Sequence, residues 1–311
     1  MLKKLLIVLA LLLLTVPACL AEGEWPELNA DGYLDSGEFV YINADDGLWR
    51  FVNQSLKVEI IRYHTDKPAI RTWYEAEVWS REGENWGMVT NLEGKHMSSS
   101  VFPWIIAQKN QSVLAVSGDF AHSRYPAKDK SVGIIIRDSK VFSSKTRKST
   151  YRGFPNLDVL AMYPDGRMEV YESDEKTADE YLAMGVTNTL CFGPWLIRDG
   201  QMNTDTIDKY NNSPNPRVAF GMVEPGHTFA MMLEGRHKGS HGGLISFLAE
   251  RMLEKGCTVA INLDGGQSAC MLFMGEQINV VGGSKNKGGS ARKSTELLAI
   301  GYSEQVPDYD K

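Results

Sequence analysis

The sequence predicts an α+β fold in which β-sheets dominate and helices are few. Short alternating or β-branched segments recur along the whole chain, and turn sequences rich in Asp and Gly separate several of them. Only residues 240–256 show the apolar spacing of a long helix, which a glycine then ends. We therefore expect mixed β-sheets with one long helix and few short ones.

The N-terminal elements are predicted strands. They comprise residues 38–42, 48–52, 56–62 and 73–79. The sequence Asp45-Asp46-Gly47 predicts a turn between the first two. Aromatic residues are dense in this region, which is typical of cross-strand pairs and core packing. A sugar-stacking surface is the alternative.

The remaining elements follow the same pattern. Predicted strands and hairpins are residues 114–120, 133–141, 157–171, 218–223, 228–233, 258–263, 270–273 and 296–302. The turns of the two hairpins fall at Asp138-Ser139 and at Gly166. Residues 178–185 predict a short helix that is stopped by a glycine, and residues 240–256 predict the long one.

The first residues predict export from the cytoplasm. Lys3 and Lys4 precede the apolar residues 5–16, and small residues then lead to the polar Glu22. This pattern is typical of a secretory signal, here residues 1–21, and it is too short for a comfortable membrane span. Two processing routes are open. Cleavage would release a soluble protein, whereas the lipobox-like residues 16–19 would leave Cys19 lipidated and anchored to the cell surface.

The composition narrows the class of partner and the chemistry of the cysteines. The net charge is −6, and the predicted signal removes two lysines and no acid, so the mature chain is more acidic still. An acidic chain argues against nucleic acid as a partner, because binding to phosphate backbones needs a basic face. Cys191, Cys257 and Cys270 remain after the signal. They allow at most one disulfide bond, or three buried free thiols.

Charged residues cluster at the ends of predicted strands. Asp119, Glu234 and Asp264 each follow an apolar strand and each neighbour a glycine, while Arg217 opens a strand and Arg236 follows Glu234 by two residues. If these strands share a sheet and an orientation, their ends converge on one pocket, which is where functional groups usually lie. The alternative is a set of separate hairpin turns with solvated acids.

The segment 258–268, TVAINLDGGQS, is the most specific of these strand ends. A carboxylate there is followed by two glycines, whose backbone N–H groups can form an anion-binding nest. Paired carboxylates suit glycoside hydrolysis, and arginines suit phosphate. No Walker loop, HExxH motif, nucleophile elbow or Rossmann fingerprint is present, and the histidines show no metal-binding spacing. A divalent metal such as Ca²⁺ on the acidic oxygens is left open.

These residues resemble the signature of the phosphodiester glycosidase family. Asn262, Leu263, Asp264, Gly265, Gly266 and Ser268 match an Asn-Leu-Asp-Gly-Gly-Gly-Ser motif, with Gln267 in place of the third Gly. Further matching segments are Gly118-Asp119-Phe120, Gly193-Pro194, Pro216-Arg217-Val218-Ala219-Phe220-Gly221, Glu234-Gly235-Arg236 (Asp-Gly-Arg in the family), Ser240-His241-Gly242 and Arg292. The resemblance covers residues 100–302 and suggests an N-terminal β-rich region, residues 22–95, before a catalytic domain, residues 96–311.

The resemblance implies hydrolysis of a sugar-1-phosphodiester such as a GlcNAc-1-phosphodiester, on cell-wall or exopolysaccharide glycans, with no cofactor required. Asp264 would act at the anomeric carbon as base or nucleophile, Arg217 would hold the phosphate, and Glu234 and Asp119 would orient water or sugar hydroxyls. Further substrate-binding residues would be Asn262, Gly265, Gly266, Ser268, Arg236, Phe120, Gly193, Ser240, Gly242 and Arg292. The alternatives are a non-catalytic polysaccharide-binding protein and a transglycosylase that acts on phosphodiester-linked polymers.

Overall fold

The computed structural model describes residues 24–92, 94–96, 99–119, 133–146, 157–210, 213–282 and 291–310. The predicted signal, Cys19 and Phe120 lie outside these residues. Within them, no helix is long and apolar enough to cross a membrane.

The described residues form four α-helices and a larger number of strands. The helices are α1 (Pro103–Lys109), α2 (Ala178–Ala183), α3 (Thr204–Tyr210) and α4 (Ile245–Glu254). The strands are β1 (Phe39–Asn43), β2 (Leu48–Val52), β3 (Leu56–Thr65), β4 (Arg71–Ser80), β5 (Gly87–Thr90), β6 (Ser112–Val116), β7 (Gly133–Arg137), β8 (Lys140–Lys145), β9 (Asp158–Met162), β10 (Met168–Tyr171), β11 (Asn188–Phe192), β12 (Trp195–Arg198), β13 (Gln201–Met202), β14 (Arg217–Glu224), β15 (His227–Leu233), β16 (Val259–Leu263), β17 (Met271–Phe273), β18 (Glu276–Gln277) and β19 (Glu296–Tyr302). The predicted α+β class is confirmed.

A nine-stranded sheet forms the centre of the fold. Its strand order is β1-β2-β3-β4-β15-β14-β16-β12-β13, and β4 pairs with β15 along its length from Trp73↔Leu233 to Trp79↔His227. The N-terminal strands therefore hydrogen-bond directly into the sheet that carries residues 217–263. A five-stranded sheet, β18-β17-β6-β19-β5, and a three-stranded sheet, β10-β9-β11, complete the core.

The prediction of mixed sheets is wrong in one respect. Every strand pair that the described residues form is antiparallel. Parallel neighbours need a long crossover connection, usually a helix, whereas tight turns can join antiparallel strands. Hairpin turns join several of these strands. In one of the two predicted hairpins, Asp138 and Ser139 have φ values of 47° and 62°, and a type I′ turn requires positive φ at both central residues.

The core lies between the sheets and beneath α4. One face of the central sheet packs against the five-stranded sheet through residues such as Phe51, Ile60 and Leu298. The other face is covered by α4, whose buried residues Ile245, Leu248, Ala249 and Met252 recur at helical spacing. Cys191, Cys257 and Cys270 are buried and are not in a disulfide bond among the described residues, which agrees with the second of the two alternatives above.

The long helix is shorter than predicted. It begins at Ile245 rather than at residue 240, because Gly243 pairs with Asn215 in an isolated β-bridge and Ser240 hydrogen-bonds to the backbone of β4. The sequence also gave no clear signal for α1 and α3, which have seven residues each. Two turns are too short for the apolar periodicity that identified α4.

A buried network of charged side chains connects the five-stranded sheet to the β7–β8 hairpin. Arg137 is fully buried, where its guanidinium pairs with Asp119 and its Nε lies 2.9 Å from Glu296 Oε2. His96 bridges Glu296 (2.9 Å) and Asp138 (3.1 Å). Burial alone would raise the pKa of Glu296, but the charge of Arg137 and a hydrogen bond with His96 outweigh it and lower the pKa to about 2. The hydrogen bond to Glu296 raises the pKa of His96.

This network predicts how stability depends on pH. Because the pKa of His96 is raised on folding, its contribution is full below the unfolded value of about 6.5 and is lost as the pH rises through the folded value. The contribution of Glu296 is full above about 4.5 and is lost as the pH falls toward 2. In urea unfolding at a series of pH values, wild-type stability should fall relative to His96→Gln above pH 6.5. Parallel curves for the two proteins would contradict this assignment.

Candidate functional site

Three of the predicted residues lie side by side at one edge of the central sheet. β14 runs antiparallel to both neighbours, and the register pairs Arg217 with Leu233 of β15 and Val218 with Leu263 of β16. Glu234 and Asp264 follow those partner residues directly. The backbones of Arg217, Glu234 and Asp264 therefore lie together at one end of these strands. A shared pocket for the three side chains stays a prediction.

The end of β6 reaches the same place from the five-stranded sheet. The backbone N–H of Asp264 donates to Gly118 O (3.1 Å), and Ser117 Oγ donates to Asp264 O (3.4 Å). Asp264 is 6% exposed. The Asp119 carboxylate belongs to the network described above, since it binds Arg137 and accepts a hydrogen bond from Cys191 N (2.6 Å). A contact between Asp119 and substrate stays a prediction.

The turn after Asp264 packs directly on the backbone that precedes β14. A Cβ at Gly265 would lie 2.4 Å from Pro216 O, and Gly266 N donates to the same carbonyl oxygen (2.9 Å). Only glycine allows this approach. A Cβ at Gly266, where φ is +63°, would lie 3.2 Å from Nη1 of Arg236. The arginine side chain therefore covers the turn.

Arg217 and Arg236 bring two positive charges to this turn. Arg217 donates to Gly243 O (2.8 Å) and Ser213 O (3.0 Å), and Arg236 donates to Asn215 Oδ1 (2.7 Å). In the part of the chain that the structure describes, neither has a carboxylate within 4.0 Å. Burial, and secondly the charge of Arg236, lower the pKa of Arg217 to about 10. Arg217 remains cationic at neutral pH, and a second guanidinium lies at the same turn, so the site favours an anion.

Two buried polar atoms near Asp264 in the sequence, Asn262 Oδ1 and Ser268 Oγ, have no hydrogen-bond partner among the described residues. Asn262 donates through Nδ2 to Gly193 O (2.8 Å), while its Oδ1 is unpaired among the described residues. Ser268 Oγ is likewise buried and unpaired there. Because buried polar groups are nearly always paired, these two atoms are available to a ligand or a water molecule. Gly193 acts through its backbone, which also donates to Asn262 O (2.9 Å).

The Glu234 carboxylate is buried and surrounded by donors. Oε1 accepts hydrogen bonds from Tyr74 Oη (3.1 Å) and Val280 N (2.7 Å). Oε2 lies 3.1 Å from His237 Nε2, a distance typical of an ion pair. Burial, followed by the neighbouring negative charge of Glu234, raises the pKa of Tyr74, so this hydroxyl stays protonated and keeps donating.

Three other predicted substrate-binding residues have contacts within the protein. Ser240 is fully buried, donates to Glu234 O (2.9 Å) and accepts from Thr72 N (3.1 Å). A Cβ at Gly242 would lie 2.6 Å from the Asn215 backbone. Arg292 is exposed, and its backbone N–H donates to Gln267 O (2.8 Å), which places it near the turn. No group of three or more His, Cys, Asp or Glu residues in the described ranges could hold a metal ion.

A family model described as phosphodiester glycosidase matches residues 110–300, which is more than half of the chain. The chain belongs to the phosphodiester glycosidase family. The resemblance noted in the sequence is thereby confirmed. The assignment of individual site residues within this family member rests on the geometry above.

Solved structures and one sequence relative show which known proteins the chain resembles. The catalytic domain of zebrafish N-acetylglucosamine-1-phosphodiester α-N-acetylglucosaminidase superposes with a TM-score of 0.61 at 17% identity, covering 81% of this chain and 85% of that chain. A hypothetical protein from Synechocystis gives 0.52 at 11%, covering 80% and 62%. Such low identities establish the fold alone. The SPbeta prophage-derived uncharacterized protein YomE of Bacillus subtilis is 26% identical over 205 residues, which is 65% of this chain and 30% of YomE.

Sequence reasoning missed several residues in this part of the structure. Tyr74, Asn215 and His237 contact the predicted residues, and Tyr74 lies 160 positions from the glutamate that it binds. Asp158 is buried and accepts a hydrogen bond from Trp195 N (3.0 Å), and burial raises its pKa to about 7. Local sequence carries no signal for such contacts, because they arise only when distant strands pack together.

The close approach of the turn predicts a large effect for a small substitution. Gly265→Ala should lower the free energy of unfolding by about 1–3 kcal/mol, because its Cβ would overlap Pro216 O. Gly87→Ala is the control, since a Cβ there meets nothing within 4 Å. Urea unfolding of both variants measures the difference. Equal stability of the two would show that the turn can move without cost.

Proposed function

We propose that this chain is a secreted hydrolase that cleaves sugar-1-phosphodiesters, with a GlcNAc-1-phosphodiester as the model substrate and cell-wall or exopolysaccharide glycans as its targets. The observation that carries the proposal is the pair Arg217 and Arg236 at the turn that follows Asp264. Two arginines at this turn, with no carboxylate partner among the described residues, suit a substrate that joins a sugar carbon to a phosphate.

The phosphate half of the substrate would lie between the two arginines. Burial, and secondly the like charge of Arg236, lower the pKa of Arg217, because both disfavour the charged form of its guanidinium. A bound phosphate would favour the charged form instead. The same charges would stabilise the phosphate monoester as it leaves, which is the electrostatic contribution that often dominates catalysis. A leaving group of this kind is stable as an anion, so it needs little help from a general acid.

The sugar half would lie over Asp264, with its anomeric carbon near the carboxylate. Asp264 would act as nucleophile or as the base that activates water. Asn262 Oδ1 is an acceptor that has no donor among the described residues, and Ser268 Oγ can donate or accept. A sugar hydroxyl or an acetamido N–H group would satisfy the asparagine oxygen. This chemistry favours a polar pyranose over an apolar group.

The relatives and the N-terminus support the remaining parts of the proposal. The zebrafish protein named above acts, by its name, on an N-acetylglucosamine-1-phosphodiester. Residues 1–21 have the pattern of a secretory signal, so we assign the substrate to glycans outside the cytoplasm, with the chain either released or anchored at Cys19.

A panel of sugar-1-phosphodiesters tests the activity. Release of free sugar from one or more members, scored with and without chelator, supports hydrolysis and decides the metal requirement. Transfer of the sugar to an added acceptor would indicate a transglycosylase. Binding of glycans with no turnover of any member would overturn the proposal in favour of a polysaccharide-binding protein.

Asp264→Asn should abolish most turnover without unfolding the protein. The amide keeps the size of the carboxyl group but is neither a base nor a nucleophile, so kcat should fall about 10²–10⁴-fold. Asp199→Asn, an exposed aspartate in the turn between β12 and β13, is the matched control and should leave kcat unchanged. Turnover of Asp264→Asn at the wild-type rate would remove Asp264 from the mechanism.

Arg217→Lys should weaken the phosphate site while keeping its charge. Lysine lacks the planar fork that donates to two carbonyl oxygens and still faces an anion, so the inhibition constant for inorganic phosphate should rise about tenfold. Arg81→Lys, which alters an exposed ion pair with Asp31, is the control. Steady-state inhibition measures both. An unchanged constant for Arg217→Lys would place the phosphate elsewhere.

A further inference from the structure

The Glu234 carboxylate is buried and is hydrogen-bonded to other groups of the protein. It is 2% exposed, and its Oε1 accepts two hydrogen bonds, from Tyr74 on β4 and from the backbone of Val280. Its Oε2 faces His237, whose Nδ1 accepts from Gly239 N (3.1 Å). The contact between His237 Nε2 and Glu234 Oε2 is a close approach without hydrogen-bond geometry. Oε1, which accepts both hydrogen bonds, is therefore the oxygen that connects Glu234 to β4 and to Val280.

The hydrogen bond to Val280 fixes a short segment against the site. Two residues further on, Gly282 packs so closely on the backbone that a Cβ there would lie 1.6 Å from Gly235 O and 3.1 Å from Arg236 Cβ. The segment 280–282 is thus pressed on the Gly235-Arg236 turn. Among the described contacts, the Glu234 carboxylate is the only acceptor for Val280 N.

Arg236 depends on this support because of its backbone. Its φ is +63°, a left-handed conformation that residues other than glycine rarely adopt and that surrounding structure must enforce. Glu234, two residues before it, is held through both of its backbone groups, since Glu234 N donates to Thr72 O (3.0 Å) and Ser240 Oγ donates to Glu234 O (2.9 Å). This conformation directs the Arg236 guanidinium over Gly266.

We propose that Glu234 is a positioning residue: its carboxylate fixes the segment 280–282 against the Gly235-Arg236 turn and so aims Arg236 at the bound phosphate. The proposal rests on the function given above for the identity of the anion. It replaces the role in orienting water or sugar hydroxyls that the sequence predicted for Glu234. Glu234 then affects substrate binding only through the position of the Arg236 side chain.

A double-mutant cycle on phosphate binding tests the proposal. Calorimetry measures the affinity of inorganic phosphate for wild type, Glu234→Gln, Arg236→Gln and the double variant. Glu234→Gln should weaken binding roughly tenfold, because a small displacement of a binding group is costly. The double variant should bind no more weakly than Arg236→Gln alone, since the two residues act as one unit. Glu250→Gln, the same change on the exposed face of α4, should bind as wild type does.

Kinetics on a sugar-1-phosphodiester give an independent readout. A positioning role predicts that Glu234→Gln raises KM roughly tenfold with a small change in kcat, whereas an acid–base role predicts a fall in kcat of about 10²–10⁴-fold. Tyr74→Phe removes one donor from the same carboxylate and should weaken phosphate binding in the same direction. It serves as the test if Glu234→Gln does not fold.

The outcomes separate this inference from the proposed function. Strictly additive losses in the cycle, unchanged phosphate affinity in Glu234→Gln, or no phosphate binding by wild type would each overturn the positioning role, even if hydrolysis is observed. Non-additive loss of phosphate affinity in a protein that hydrolyses no member of the panel would support the positioning role while the proposed reaction fails.

Discussion

The antiparallel register of β14 between β15 and β16 is the constraint on which the site depends. It sets Arg217 beside the residue that precedes Glu234 and Val218 beside the residue that precedes Asp264. Side chains alternate between the two faces of a strand, so a slip of one residue in either pairing would turn the site side chains to the opposite face. The register is itself fixed by burial, because Val218, Leu233 and Leu263 are fully or almost fully buried.

Backbone packing then brings the strand ends closer than side chains would allow. Gly265 lies against Pro216, and Gly282 lies against Gly235, at separations that leave no room for a Cβ. Several loops can therefore meet in a small volume and present N–H groups and arginines to one point. The cost is conformational entropy in the unfolded chain, which glycine raises more than any other residue.

The arginines near the site fall into two groups that have different partners. Arg137 is fully neutralised by Asp119 and Glu296, so it joins the second sheet to a hairpin and is not available to a ligand. Arg217 and Arg236 have carbonyl and amide partners but no carboxylate among the described residues. A fixed, uncompensated positive charge is the arrangement that stabilises an anion without reorganisation. Arg137 is fully buried, whereas Arg217 is partly exposed and Arg236 is exposed, so these arginines differ both in their partners and in their degree of burial.

The sequence by itself determined most of the strands, several turns, the family and the strand ends that carry Arg217, Glu234 and Asp264. These follow from local alternation, from turn residues and from a contiguous motif. Tertiary structure alone decided what those side chains contact. The partner of Asp119 is 18 residues away and the tyrosine on Glu234 is 160 residues away, and both contacts depend on how separate strands pack. Local sequence specifies backbone conformation, whereas the partner of a buried charge depends on which distant segment the fold places beside it.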